Sequence, residues 1–259
     1  GEDAFYNCSS LTSIVIPEGV TQIKAGTFYN CVALESVVLP ESLQKIEDSY
    51  YRDYRNMGAF ANCSSLKSIG ISGNTKYIGS YAFYNCRSLA SAELQEGVMT
   101  IRHGAFYGCS ALRSMVIPEG VTQVEYATFY ECTSLESVTL PESLLSIKGG
   151  GEFRWGGAFE NCTSLKSIVI PEGVMSIADH AFSGCSSLTS VLIPEGVTSI
   201  GESAFWCCSS LSSVAIPEGV TSLEHSTFYG CSSLESVTLP ESLLSIAGEY
   251  NNNTQREGV

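Results

Sequence analysis

Ala204-Phe205-Trp206-Cys207-Cys208-Ser209-Ser210-Leu211-Ser212-Ser213-Val214-Ala215-Ile216-Pro217-Glu218-Gly219-Val220-Thr221-Ser222-Leu223 is one copy of a unit that fills the whole 259-residue chain. The skeleton reads A/T-F-x-x-C-x-x-L-x-S-V/I-x-I/L-P-E-G/S-V/L-x-x-I. Its phenylalanine returns at Phe5, Phe28, Phe60, Phe83, Phe106, Phe129, Phe159, Phe182, Phe205 and Phe228. Seven of the nine steps are 23 residues and the other two are 32 and 30. A fixed period of roughly 20–29 residues is the signature of a solenoid, in which each unit rests on its neighbours and none buries its apolar face alone. One elongated domain over residues 1–259 is therefore expected, although the length alone would suit one large or two small globular domains.

Within a unit the apolar residues keep fixed offsets. Leu11, Ile14 and Ile16 recur as Leu188, Val191 and Ile193, and the group ends in the alternation of a short, half-buried strand. Pro-Glu-Gly-Val or Pro-Glu-Ser-Leu follows, and all eight prolines, from Pro17 to Pro240, lie at this offset. Proline presets φ for a first central turn position and has no donor to lose, so a tight turn between strands is expected. A second short strand then carries Val20 and Ile23, or Val197 and Ile200. The segment from Ala/Thr-Phe to Asn-Cys lacks alternation and reads as a short helical or 3₁₀ turn. The third unit has Ser72-Gly73-Asn74-Thr75 in place of Pro-Glu-Gly-Val, and in the fourth Gln95 stands for the proline, so looser turns are expected there.

Only 15% of residues are charged, and the formal net charge is −14. An acidic, lysine-poor surface repels phosphate backbones, which argues against nucleic acid and anionic membranes. Apolar runs of a few residues fall far short of the ~20 needed for a membrane helix. The opening Gly1-Glu2-Asp3-Ala4-Phe5 aligns with Gly201-Glu202-Ser203-Ala204-Phe205 in mid-repeat, so the chain reads as a piece of a longer protein with any targeting segment removed. Of eleven cysteines, ten lie three residues after a phenylalanine. One per unit at one phase makes a column of small buried side chains, in which neighbouring Cβ vectors run parallel rather than toward each other. A column also does not converge as zinc ligands must. The eleventh, Cys207, replaces the usual Asn or Gly and is the candidate for surface thiol reactivity.

A second period overlies the first. Units starting at Phe28, Phe129 and Phe228 carry Thr before the phenylalanine, then Glu-Ser-Val and Pro-Glu-Ser-Leu. The extra residues follow Ile46 and Ile147 at one corner of the coil, and a third such segment follows Ile246. Three inserts result, at 47–58, 148–157 and 247–259, four units or about 20 Å apart at strand spacing. In repeat proteins, insertions collect on the binding face.

The motif A-F-x-x-C-x-S-L-x-S-V-x-I-P-E-G-V-x-x-I resembles the BspA-like class of bacterial leucine-rich repeats, with units near 23 residues, and the resemblance recurs ten times. It implies a right-handed leucine-rich-repeat solenoid of α/β class, with about ten repeats of short parallel strands and short helical turns. It further implies a secreted or cell-surface protein of a host-associated bacterium, with adhesion to host proteins or other cells as the expected activity. The three inserts depart from the plain repeat, and no family motif assigns them a ligand.

An enzyme needs unlike groups converging in a pocket. His103, His180 and His225 lie many units apart at variable corners and read as solvated surface residues. The serine column from Ser13 to Ser236 has no base beside it. The turn glutamates, from Glu18 to Glu241, form a single file that suits a solvated acidic rim better than calcium, which prefers several oxygens around one point. Gly149-Gly150-Gly151 lacks the Gly-Lys-Ser/Thr of a phosphate loop. Neither an enzyme nor a cofactor is expected. Aromatics directly after the phenylalanine (Tyr6, Tyr29, Tyr84, Tyr107, Tyr130, Trp206 and Tyr229) are expected near the surface, packed ring on ring between repeats.

The inserts carry Tyr50, Tyr51, Arg52, Tyr54 and Arg55, then Phe153, Arg154 and Trp155, then Tyr250. Tyr, Trp and Arg are the usual binding hot spots, so these nine residues are the candidate ligand contacts. Packing of the loops on their own scaffold is the other reading. Strand positions such as Thr12, Glu35, Lys67 and Arg113 vary where buried ones do not, as on a binding scaffold. The expected function is a non-catalytic extracellular module binding a host or cell-surface protein. A carbohydrate-binding module and a structural spacer are the alternatives. The expected state is a monomer or a weak end-to-end assembly through uncapped coils.

Overall fold

The computed structural model describes residues 1–48, 58–150 and 156–246. Each coil has two short strands. The first runs from the column serine, as in Ser13–Val15 or Ser167–Val169, and the second spans two residues ending in the column aliphatic, as in Gln22–Ile23 or Ser176–Ile177. Ten of each make a parallel-strand solenoid of about ten turns among the described residues. Pairing is parallel and like-with-like: Ser13 opposes Ser36, Ile14 opposes Val37, and Ile23 opposes Ile46. The period alone dictates this register, because a one-residue slip would turn every core aliphatic outward.

The core follows from the columns. Phe28 through Phe205 are buried, and consecutive phenylalanine rings from Phe5 to Phe228 stack with centroids 5.1–5.6 Å apart, nearly parallel. The column runs through both long steps, since Phe28 stacks on Phe60 and Phe129 on Phe159. The cysteines are free. Each column thiol from Cys31 to Cys231 donates to the phenylalanine carbonyl of the preceding coil, at 3.1–3.2 Å. Burial pushes the buried thiols far up from their ordinary pKa, so they remain protonated donors.

The expected helical or 3₁₀ turn around the phenylalanine is not formed; no helix occurs among the described residues. Left-handed residues bracket the segment, for example Asp3 at φ 56° and Asn7 at φ 58°, and leave three residues between them. The donors also alternate. Phe5 and Asn7 N–H donate to Thr27 and Tyr29 carbonyls of the next coil, while Tyr6 and Cys8 N–H close local bonds to Asp3 and Phe5. Half the amides bond across coils, so no i→i−4 ladder can start.

The proline turn also differs from expectation. Val20 N–H donates to the Pro17 carbonyl, which makes proline the first corner of the turn, with Glu18 and Gly19 central. Proline therefore ends the strand ladder, whose last donor is Ile16 N–H to the Val38 carbonyl. The degenerate turn of the third unit is not looser: Thr75 N–H reaches the Ser72 carbonyl at 2.9 Å, against 3.4 Å for Val20 to Pro17. Thr75 is buried in place of valine and its hydroxyl donates to the Leu43 carbonyl.

Candidate functional site

The candidate edge is the corner after the second strand. The nine proposed contact residues, Tyr50, Tyr51, Arg52, Tyr54, Arg55, Phe153, Arg154, Trp155 and Tyr250, lie outside the described residues. What the structure defines is the frame that carries them. Ile46 pairs with Ile78, and Ile147 with Ile177, in the same register as units that have no insert. Of the inserts at 47–58 and 148–157, Glu47, Asp48, Gly58, Lys148, Gly149, Gly150, Gly156 and Gly157 are described. Gly58 and Gly157 are buried under the next coil, where a side chain would strike the backbone at Tyr81–Ala82 or His180–Ala181.

Each insert-bearing unit is clamped to the unit before it. The Glu18 carboxylate accepts from Glu41 N–H and Ser42 N–H at 3.0 and 3.2 Å. Ser42 Oγ accepts from Gly19 N–H and donates to the Val20 carbonyl. The same four-bond bracket joins Glu119 and Gly120 to Glu142 and Ser143, and Glu218 and Gly219 to Glu241 and Ser242. Gly19, Gly120 and Gly219 sit at φ 91–100°, which a side chain would strain. Thus the alternation of Pro-Glu-Gly-Val with Pro-Glu-Ser-Leu has a hydrogen-bonding cause. Backbone donors hold the exposed Glu119 carboxyl below the usual carboxylate range.

On the other side, Lys67 Nζ lies 2.6 Å from Glu35 Oε2, and Lys166 Nζ 2.6 Å from Glu136 Oε2. Each pair joins an insert-bearing unit to the one that follows. Exposed ion pairs of this kind are screened by solvent, so they set local charge more than stability. On the same strand face, Val15, Val116, Val169 and Leu192 point into solvent.

The aromatic row directly follows the phenylalanine column. Tyr6 stacks on Tyr29, Tyr107 on Tyr130, and Trp206 on Tyr229, and Tyr84 packs at a tilt on Tyr107, so inter-repeat ring packing is present as expected. The row is interrupted at Ala61, Glu160 and Ser183, the first two in the units immediately after the two internal inserts. Gly156 lies against the Tyr130 ring, where any Cβ would overlap it. Glu160 Oε2 accepts from Gly157 N–H at 2.8 Å, and burial raises its pKa. Gly156 and Gly157, at the end of the second insert, thus lie against Tyr130 and Glu160.

A second aromatic cluster was not apparent from the column pattern. Tyr81 packs edge-on against His103 at 5.2 Å, and His103 stacks on Tyr126 at 4.9 Å. His103 is thus not the solvated residue expected: it is half-buried, and burial lowers its pKa, with Arg102 adding to the effect and Asp48 opposing it. His180 is half-buried as well, whereas His225 is exposed, 3.9 Å from Glu202. Tyr81 and Tyr126 lie at different offsets from the phenylalanine, so no column flags them. Among the described residues no group of three His, Cys, Asp or Glu could hold a metal ion, and no helix is long and apolar enough to cross a membrane.

Comparison with known families places this frame. The model for BspA type leucine rich repeat regions matches residues 1–58, 53–150 and 156–257, in six copies. The chain belongs to the BspA-type leucine-rich-repeat family. It is similar to the T. pallidum leucine rich repeat protein TpLRR, at 36% identity over 57% of this chain and 65% of that one, with a TM-score of 0.53. It thus spans less than two thirds of that relative. A leucine-rich repeat protein from Bacteroides ovatus ATCC 8483 is 28% identical over 96% of this chain and 78% of that one, with a TM-score of 0.46. The pneumococcal vaccine antigen PcpA shares the fold at 18% identity and a TM-score of 0.51, covering 93% of this chain and 68% of its own. The comparison with curated proteins gives no match. Leucine-rich-repeat proteins are generally non-catalytic, and typically interaction or surface-associated proteins.

Proposed function

We propose that this BspA-type repeat chain is an extracellular, cell-surface adhesion module that binds a protein partner through the insert edge. One observation carries the reading. The coil keeps its register through both internal inserts, Ile46 on Ile78 and Ile147 on Ile177, so the scaffold is complete without them. Residues that a fold does not need, rich in Tyr, Trp and Arg, are suited to a partner. The rigid frame below lowers the ordering cost of binding there.

The test compares the chain with a version in which Ser49–Met57 and Gly149–Trp155 are removed to restore the 23-residue repeat, against host matrix proteins and epithelial cells. Loss of binding with an unchanged circular dichroism spectrum places the contact on the inserts. Equal binding moves it to the tyrosine row or strand face. Absence of binding by either chain makes the structural spacer the better account.

A further inference from the structure

We infer that the outer face of the second strands in the first three coils is a separate site for a carboxylate-bearing saccharide. An open groove of about 710 Å³ lies there, lined by Gln22, Gln44, Lys45, Asn74, Lys76 and Tyr77 among others. That volume is within the ~300–1,000 Å³ of small-ligand clefts.

Departures from the repeat converge on this groove. Gln22, Lys45 and Tyr77 are direct neighbours in the parallel ladder. In the sixth to ninth coils the same position is Ser146, Ser176, Ser199 and Ser222. The Ser72–Thr75 turn, the one furthest from the consensus, supplies Asn74. Yet that turn is as tight as the others, so its altered sequence is not a loosened loop. Asn74 Nδ2 donates to the Glu41 carbonyl, which pins the amide at the groove wall. Tyr77 is pinned as well, its hydroxyl donating to Asp48 and its ring lying 4.8 Å from Lys45 Nζ.

The chemistry of the walls selects the ligand. Gln22, Gln44 and Asn74 each bring an amide, a group with both donors and an acceptor, as hydroxyl-rich ligands require. Tyr77 offers the aromatic surface. A peptide would instead need apolar pockets for anchor side chains, and the groove walls offer none beyond that ring. The charge balance points to an acid. Lys45 and Lys76 face one carboxylate in the lining, Glu41, in a chain of net charge −14. Lys76 Nζ bonds the Gly73 carbonyl, and among the described residues it has no carboxylate at ion-pair distance. Glu47 is already held by Lys24 at 2.8 Å, leaving Lys45 at 3.9 Å from it.

Titration calorimetry tests the assignment with three probes: a glucuronate-containing tetrasaccharide, neutral cellotetraose, and hexaglutamate. The acidic tetrasaccharide is expected to bind, with cellotetraose about tenfold weaker or more, and added salt reducing only the former. Lys45→Gln with Lys76→Gln should bring the acidic sugar down to the neutral level. Gln22→Ala with Gln44→Ala, a second exposed pair, should weaken both sugars. Unchanged thermal unfolding confirms that the variants fold. Undetectable binding of the acidic tetrasaccharide, equal binding by the lysine variant, or hexaglutamate binding as tightly as the sugar would each overturn the inference. The chain with its second insert shortened should bind the sugar as before, which separates this site from the insert edge.

Discussion

Lowering the pH from 7.5 to 5.5 is expected to loosen the solenoid at one place, between the fourth and fifth coils. Both strand ladders lapse there: Ser91–Leu94 is not paired with Ser114–Val116, nor Thr100–Ile101 with Gln123–Val124. Backbone bonds such as Phe83 N–H to the Ala105 carbonyl and Gly104 N–H to the Tyr126 carbonyl still join the coils, and side chains at the adjoining corner add the His103–Tyr126 stack and the Arg102–Glu125 pair at 3.3 Å. The pKa of His103 in the folded chain is lowered below its ordinary 6.5. As pH falls the unfolded chain therefore binds the proton first. The contribution of His103 is complete above about pH 6.5 and is lost as pH falls through the folded value. A charged imidazole over Tyr126 would gain some cation–π attraction, but the downward shift means that its burial outweighs that gain. The two ring contacts are each worth about 0.5–1.5 kcal/mol, so His103→Ala should cost about 1–3 kcal/mol at this interface. Local opening should then rise about five- to 150-fold. Hydrogen exchange, corrected for intrinsic rates, reads this in peptides spanning residues 89–101 and 112–124, with residues 188–200 as the internal reference. His103→Asn removes the titration. If wild type and His103→Asn show the same change in protection between pH 7.5 and 5.5, the reasoning fails.

Phe106→Ala should destabilise the array by about 3–5 kcal/mol, since it empties a fully buried position and removes stacks on Phe83 and Phe129; denaturant unfolding measures the loss, and a change below about 1 kcal/mol would contradict the continuous ring column. Iodoacetamide at pH 8, followed by mass spectrometry, should label half-exposed Cys207 well before Cys63 through Cys185, whose thiols are buried and engaged with phenylalanine carbonyls. Labelling at equal rates would mean that the cysteine column opens. Glu119→Gln should raise exchange at Glu142 and Ser143 amides, and in wild type the same protection should fade as acid protonates Glu119, because its pKa is lowered in the folded chain. Shortening one internal insert alone should weaken a partner that engages both by far more than half, up to the ~10²–10⁴ of linked binding. Binding that falls only in proportion to the residues removed would show that the inserts act singly.

The parts of this fold legible in the sequence are those that repeat at one phase. Phe83, Cys86 and Leu89 each recur in column, and a side chain that must stack on its own image every 23 residues leaves little freedom of type. The missing helical turn had a signal of its own. The residue before the cysteine is Asn or Gly at Asn7, Asn30, Asn62, Asn85, Gly108, Asn161, Gly184 and Gly230, the types that accept left-handed backbone, and all have positive φ. The proline offset was visible, but not which turn corner it took, because that depends on a bond from Val20 to Pro17 rather than on residue type. The pairing of His103 with Tyr81 and Tyr126 was not legible. Those residues sit at variable corners of three successive coils, and their contact arises only from the stacking. The insert contacts of the candidate site have no repeat neighbour to constrain them, so column logic does not reach them.

The second period is best understood as a division of labour. A 23-residue unit with Pro-Glu-Gly-Val can follow another like it indefinitely, and nothing in its bonding requires Pro-Glu-Ser-Leu. The serine form enters where an insert follows, at Ser42, Ser143 and Ser242, and each time the preceding glutamate closes on it. An insertion at the next corner threatens the register of a two-residue strand, which by itself has only one or two cross-coil bonds to resist a slip. Four additional bonds at the preceding turn restore that resistance. Frame residues therefore repeat nearly unchanged at all three positions, while the insert residues Tyr50–Arg55, Phe153–Trp155 and Tyr250 share little beyond aromatic and arginine content. A stiffened base under a freely varying segment is what a scaffold needs to change its partner without changing its fold.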